Sequence, residues 1–172
     1  MPTRSILLIG YGNPGRLDDG LGPRLAAVLE ARGIPGLDVE ADYQLTVEDA
    51  EAVSRHDVVI FADAAVRGSE PFFFRRLAPV RGSGFSSHSV EPGEVLDLAA
   101  TLFGAQPAAY VLGIRGYEFN EFGERLSAAA AGNLAAAATF LERVIRSGTF
   151  AAALCGEGWE ATEPERLEVC RN

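Results

Sequence analysis

Two adjacent carboxylates, Asp18 and Asp19, stand in the loop Gly10-Tyr11-Gly12-Asn13-Pro14-Gly15-Arg16-Leu17-Asp18-Asp19-Gly20-Leu21-Gly22, between an apolar run and an amphipathic one. A third carboxylate, Asp63, ends the apolar run Val58-Val59-Ile60-Phe61-Ala62, and an imidazole, His88, lies in Phe85-Ser86-Ser87-His88-Ser89-Val90. Asp19, Asp63 and His88 would offer two oxygens and one nitrogen to a borderline divalent transition metal, leaving positions for water or substrate. Two aspartates could also share a proton and activate water, as in aspartic proteases. The residue types alone do not separate a base from a ligand.

Each group also has a plainer role open to it. Asp18 or Asp19 could cap the following helix, and the expectation is that one carboxylate caps while the other is left for chemistry. Asp63, before Ala64-Ala65, could simply turn the chain, and His88 could bond its serine neighbours. His56 ends a short helix, where the helix dipole accounts for it, and no function is assigned to it.

Gly10, Gly12 and Gly15 satisfy the spacing of a dinucleotide-binding fingerprint, with Asp38, Glu40 and Asp42 as acidic ribose candidates downstream. The mechanism behind that fingerprint fits poorly. Pro14, Arg16 and Leu17 prolong the loop, and Asp18 and Asp19 put negative charge where a pyrophosphate would sit. No Gly-x-Ser-x-Gly elbow occurs, and Cys155 and Cys170 are remote from both histidines in sequence.

Positioning these groups requires strands that alternate with helices. Ser5 to Gly10, Leu37 to Tyr43, Asp57 to Ala62, Glu70 to Leu77 and Ala108 to Gly113 read as strands, the first and third as buried parallel ones. Leu25, Val28 and Leu29 recur at helical spacing between Pro23 and Gly33. Thr46, with Asp49 three residues on, suits the start of a short helix. Pro92 to about Phe103 forms another, and Ser127 caps a long alanine-rich one. The sum is an α/β protein, a three-layer α/β/α domain with a mostly parallel twisted sheet of about five strands. Loops leaving parallel strands at their C-terminal ends share an edge, so Asp19 and Asp63 could converge there. Whether His88 joins them depends on the direction of the fourth strand, which periodicity does not give.

Residues 1–148 are expected to be this one domain, and 149–172 an acidic tail forming a surface appendage or a partly disordered end. Both cysteines fall in that tail, outside what reads as core, and are expected to be free thiols in a reducing compartment. The net charge is −9 and no lysine occurs, which argues against nucleic acid or an anionic membrane surface as partner. No segment reads as a signal peptide or a membrane span, so a cytoplasmic location is expected.

Gly12-Asn13 with Asp18-Asp19-Gly20-x-Gly22, Tyr43-Gln44-Leu45, the run from Val58 to Asp63, Ser87-His88-Ser89, Gly113-Ile114 and Glu121-Phe122-Gly123-Glu124-x-Leu126-Ser127 occur in that order. The set resembles the hydrogenase maturation endopeptidases, which trim the C-terminus of the nickel-containing hydrogenase large subunit. The resemblance implies a peptidase, often classed as aspartic, acting on a nickel-loaded precursor of the nickel-iron hydrogenase large subunit. By motif position it implies Asp19, Asp63 and His88 as the catalytic and metal-contacting set. Nickel would come with the substrate, and no cofactor would be permanently bound. Two further readings stay open at this point: a hydrolase carrying its own zinc, and a non-catalytic nickel-dependent maturation chaperone.

Overall fold

The computed structural model describes residues 3–82 and 90–157. Five strands form one sheet: β1 (Ile6–Tyr11), β2 (Leu37–Asp42), β3 (Val58–Ala65), β4 (Phe72–Leu77) and β5 (Ala108–Arg115), in the order β2-β1-β3-β5-β4. The pairings of β1 with β2, β1 with β3 and β3 with β5 are parallel, and β4 runs antiparallel to β5. Four helices cover it, α1 (Leu21–Ala31), α2 (Asp49–Ser54), α3 (Pro92–Phe103) and α4 (Ala128–Ser147). This is the three-layer α/β/α architecture that the alternating pattern implies.

The period of two along each central strand divides the core between the faces of the sheet. Ile6 and Leu8 of β1, Val58 and Ile60 of β3 and Leu112 of β5 pack with Leu25 and Leu29 of α1 and Leu141 and Val144 of α4. Leu7, Ile9, Val59 and Phe61 pack on the other side with Val53 of α2 and Val95 and Leu96 of α3. Fully burying each such aliphatic or aromatic side chain contributes about 1.5–3 kcal/mol. Both faces of β1 and β3 are therefore apolar, which is why they appear in the sequence as continuous runs.

Helix ends follow their local chemistry. Glu91 and Glu94 form a reciprocal capping box at the start of α3, with Pro92 in the first turn and Gly104 in a left-handed conformation at the end. The Ser127 hydroxyl accepts the Ala130 N–H at 3.3 Å and caps α4. At α2 only half of the expected box forms, the Asp49 carboxylate accepting the Thr46 N–H at 2.6 Å. His56 sits between the Ala52 carbonyl at 2.7 Å and the Asp38 carboxylate at 2.9 Å, the helix-end role expected of it.

Two expectations are corrected. Asp63 does not follow β3 but lies within it, because Ala64 and Ala65 stay buried and keep pairing with Ile114 and Arg115. Cys155 does not lie outside the core. It is half-buried and exchanges two backbone hydrogen bonds with Phe74 of β4, at 2.8 and 3.0 Å. Before it, Phe150 is 3% exposed with its ring stacked 5.5 Å from Tyr110, so packing continues beyond Gly148. Cys170 lies outside the described residues.

Candidate active site

The site begins with a close approach of helix to sheet. A methyl group added at Gly10 would stand 2.2 Å from the Gly22 carbonyl oxygen, and one at Gly22 would stand 2.3 Å from that of Tyr11 and 2.6 Å from that of Ala62. Only glycine at both positions lets the start of α1 lie against the C-terminal ends of β1 and β3. Between β1 and α1 the chain makes a single 3-10 turn, Leu17–Gly20, which holds both carboxylates of the loop. That turn places Asp18 and Asp19 directly before α1, where a dinucleotide would need its phosphates, and the dinucleotide reading is not supported.

The two adjacent aspartates have different positions and partners. Asp18 is 0% exposed. Its carboxylate accepts the Tyr117 and Glu118 N–H groups at 2.8 and 2.9 Å, the Ser127 N–H at 2.8 Å and the Ser127 hydroxyl at 2.7 Å. Burial pushes the Asp18 carboxyl up, but these donors outweigh it and hold its pKa below the usual carboxylate range. The helix α1 has no side-chain cap, so the expectation that one of the two carboxylates caps it is wrong. Asp18 instead fastens the segment between β5 and α4 to the loop. The same segment bonds the loop through backbone groups, Leu17 N–H to Gly123 O at 2.9 Å and Gly123 N–H to Gly15 O at 2.8 Å. Leu17, caught between these ties, is buried with a left-handed φ of 52°, a conformation costing about 1–3 kcal/mol that the surrounding bonds hold in place.

Asp19 is half-buried, and its carboxylate accepts the Asn13 N–H at 2.9 Å. Asp63 is also half-buried and lies on the same side of β3 as Phe61 and Ala65, toward α2 and α3. Its Oδ1 accepts the Ala64 N–H at 2.8 Å. Gly12 joins the two. A methyl group built there would meet the Asp19 carbonyl oxygen at 2.1 Å and Asp63 Oδ1 at 3.7 Å, and its φ of 139° is one that glycine alone adopts readily. The backbone of Asp19 and the carboxylate of Asp63 therefore flank Gly12 at the C-terminal edge of the parallel strands.

His88 lies outside the described residues. Because β4 is antiparallel, the chain leaves it at Leu77, paired with Ala109 near the start of β5 and away from the Asp63–Gly113 pair. Strand direction alone thus does not carry the chain to the aspartate edge. The chain is described again from Val90, which packs on the same face as Asp63. Among the described residues no group of three or more His, Cys, Asp or Glu side chains is placed to hold a metal.

Sequence reasoning missed the tie between the loop and the segment 117–127. Asn13 carried a signal for part of it: its Oδ1 accepts the Gly15 N–H at 2.9 Å, the local turn that an asparagine two residues before a glycine favours. The 109-residue separation of Asp18 and Ser127 left no local trace. Nearby, Tyr117 donates its hydroxyl to Glu70 at 2.6 Å, and the Arg115 guanidinium lies 5.2 Å from its ring centre.

No protein-family model matches the chain, and no curated protein sequence does. Solved structures do. A hydrogenase 2 maturation peptidase from a Thaumarchaeota archaeon superposes with a TM-score of 0.62 at 23% identity, covering 83% of this chain and 99% of that one. The chain has the hydrogenase maturation peptidase fold. The nickel-iron hydrogenase maturation protease HycI from Thermococcus kodakarensis shares that fold at a TM-score of 0.64 and 20% identity, covering 83% and 93% of the two chains. The hydrogenase maturating endopeptidase HybD from E. coli matches at 0.63 and 19%, covering 84% and 94%. Nearly the full length of each is matched, so the maturation peptidase fold accounts for most of this chain.

Proposed function

We propose that this chain is an endopeptidase that removes the C-terminal peptide of a nickel-loaded large-subunit precursor of nickel-iron hydrogenase. The observation that carries the reading is the pair Asp19 and Asp63 flanking Gly12, at the strand-end edge of a fold shared almost end to end with hydrogenase maturation proteases.

In this reading the substrate brings nickel already held by its cysteines. Asp19, Asp63 and His88 supply further oxygen and nitrogen contacts to it, an O,O,N set that lacks thiolates and is too small to retain free metal tightly. Nickel contact then fixes the scissile carbonyl near the edge. Hydrolysis adds the hydroxyl of water to the acyl carbon and its proton to the departing amine, and the carboxylate oxygen of Asp19 or Asp63 that the metal leaves free takes up the proton from water and passes it on. The protein itself carries no permanent cofactor. Asp18 takes no part in this chemistry and keeps the loop in position.

Incubation with the nickel-loaded large-subunit precursor, followed by intact mass measurement, tests the assignment. A shortened large subunit and a released C-terminal peptide are expected. Binding without any mass change would support the chaperone, and one tightly held zinc per purified chain would support the hydrolase carrying its own metal.

A further inference from the structure

The two edges of the sheet differ. The outer side of β4 is covered by the chain itself, through the Phe74–Cys155 pair and the Ser69 N–H donated to the Glu157 carbonyl at 2.7 Å. At the other edge, β2 pairs only with β1, and no described segment lies against its outer side. Ile6 N–H donates to Gly36 O and Gly12 N–H to Asp42 O. Backbone groups alternate sides along a strand, so Asp38, Glu40 and Asp42 turn theirs to β1, while Leu37, Val39 and Ala41 turn theirs outward, the Leu37 N–H being taken up by the Ile34 carbonyl at 3.2 Å.

A groove of about 590 Å³ runs over this edge, walled by Leu29 and Ile34 on the α1 side and by Ala52 and His56 of the α2 region on the other. The two sides differ in chemistry. Leu37 and Val39 extend the apolar wall, whereas Asp38, Glu40 and Asp42 project to the opposite face. Among the described residues Asp38 is paired with His56, but Glu40 and Asp42 form no ion pair. Burial raises the Glu40 carboxyl and the charge of Asp49 raises it further, against the lowering by His56; Asp49 is raised by burial and by Asp42, against the opposing Thr46 N–H. Among the described residues no cation forms an ion pair with Glu40 or Asp42.

We infer that the open edge of β2 docks an extended, alternately apolar and basic segment of the polypeptide substrate as an added strand. Its backbone would bond the Leu37 carbonyl and both backbone groups of Val39 and Ala41, its apolar side chains would meet the α1 wall, and its basic ones would meet Glu40 and Asp42. The same strand ends at the candidate site, since the Asp42 carbonyl holds Gly12, which Asp19 and Asp63 flank. A segment docked on β2 is thereby aligned with the hydrolytic edge. That the segment belongs to a hydrogenase precursor rests on the function proposed above; the docking chemistry does not.

The test is amide hydrogen exchange of the whole chain with an eight-residue peptide of alternating arginine and valine, its counterpart of alternating glutamate and valine, and the large-subunit precursor. The arginine peptide should slow exchange at Val39 and Ala41 by tenfold or more, and the glutamate peptide should not. Ala41→Pro removes one outward N–H at an exposed position without touching the bonds to β1, and should abolish the remaining protection at Val39. No protection by the arginine peptide, or equal protection by both, would overturn the docking site and leave the strand acids as simple guards against edge pairing. Protection by the peptide without binding of the precursor would keep the docking site and refute the proposed substrate. Precursor binding or cleavage that leaves these two amides unprotected would refute the docking site alone.

Discussion

Asp18 and Ser127 are joined by two hydrogen bonds inside the protein, the Ser127 N–H to Asp18 Oδ1 at 2.8 Å and the Ser127 hydroxyl to Oδ2 at 2.7 Å. One serine thus anchors the loop aspartate and caps α4 at once. The neighbouring Asp19 contacts the loop through Asn13 instead. Adjacent carboxylates of the same type therefore have separable roles.

Asp18→Asn is expected to destabilise the fold by about 2–4 kcal/mol, because an amide nitrogen would face N–H donors at a position with no solvent exposure. The effect should depend on pH. The folded-state pKa of Asp18 is depressed, so its contribution is fully present above the unfolded value near 3.9 and is lost as pH falls through the folded value. Urea unfolding of both proteins at several pH values checks this, and the gap between them should narrow below about pH 4. A constant gap would contradict the role given to Asp18.

Asp19→Asn should keep stability to within about 1 kcal/mol, since the amide oxygen still accepts the Asn13 N–H and the side chain is half-exposed. Processing should fall by about 100-fold or more. A rate matching wild type, in a folded variant, would remove Asp19 from the site.

Gly12→Ala places a methyl group 2.1 Å from the Asp19 carbonyl and forces alanine into a φ of 139°. The turn must shift, costing more than about 1 kcal/mol and separating Asp19 from Asp63. Thermal unfolding should show the loss, and the precursor assay should show little cleavage even in the folded fraction. Unchanged activity would mean that the two aspartates do not act together.

Phe150→Ala should cost about 3 kcal/mol or more, as a buried ring stacked on Tyr110 is removed. Truncation after Gly148 removes that ring together with the cover on β4, and should be worse still in denaturant unfolding. A truncated chain as stable as the full one would show that these contacts contribute nothing.

The strands were legible because burial on both faces writes itself into the sequence as unbroken apolar runs, Ile6-Leu7-Leu8-Ile9 and Val58-Val59-Ile60-Phe61. The ends were less so. That β3 continues through Asp63 to Ala65 depends on β5 continuing beside it to Arg115, a property of the partner strand and not of the residues themselves. That the Asp19 loop and Asp63 share one edge of the sheet followed from parallel pairing, which alternation implies. The role of Asp18 did not, because its donors come from a segment about 100 positions away and a buried structural carboxylate looks the same in sequence as a reactive one. The packing of Phe150 and Cys155 was hidden for a similar reason: it follows α4, where the apolar periodicity has ended and only tertiary contact marks the core.

The central claim is that the aspartates act on a metal that the substrate provides. The most direct test is the rate of C-terminal processing, by intact mass, of the same large-subunit precursor with and without its nickel, using wild-type protein and His88→Ala. Cleavage of the nickel-loaded form only, slowed in His88→Ala, is the predicted result. Equal cleavage of the nickel-free precursor, or an unchanged rate in His88→Ala, would contradict recognition through the substrate's metal and leave Asp19 and Asp63 acting as a carboxylate pair on water.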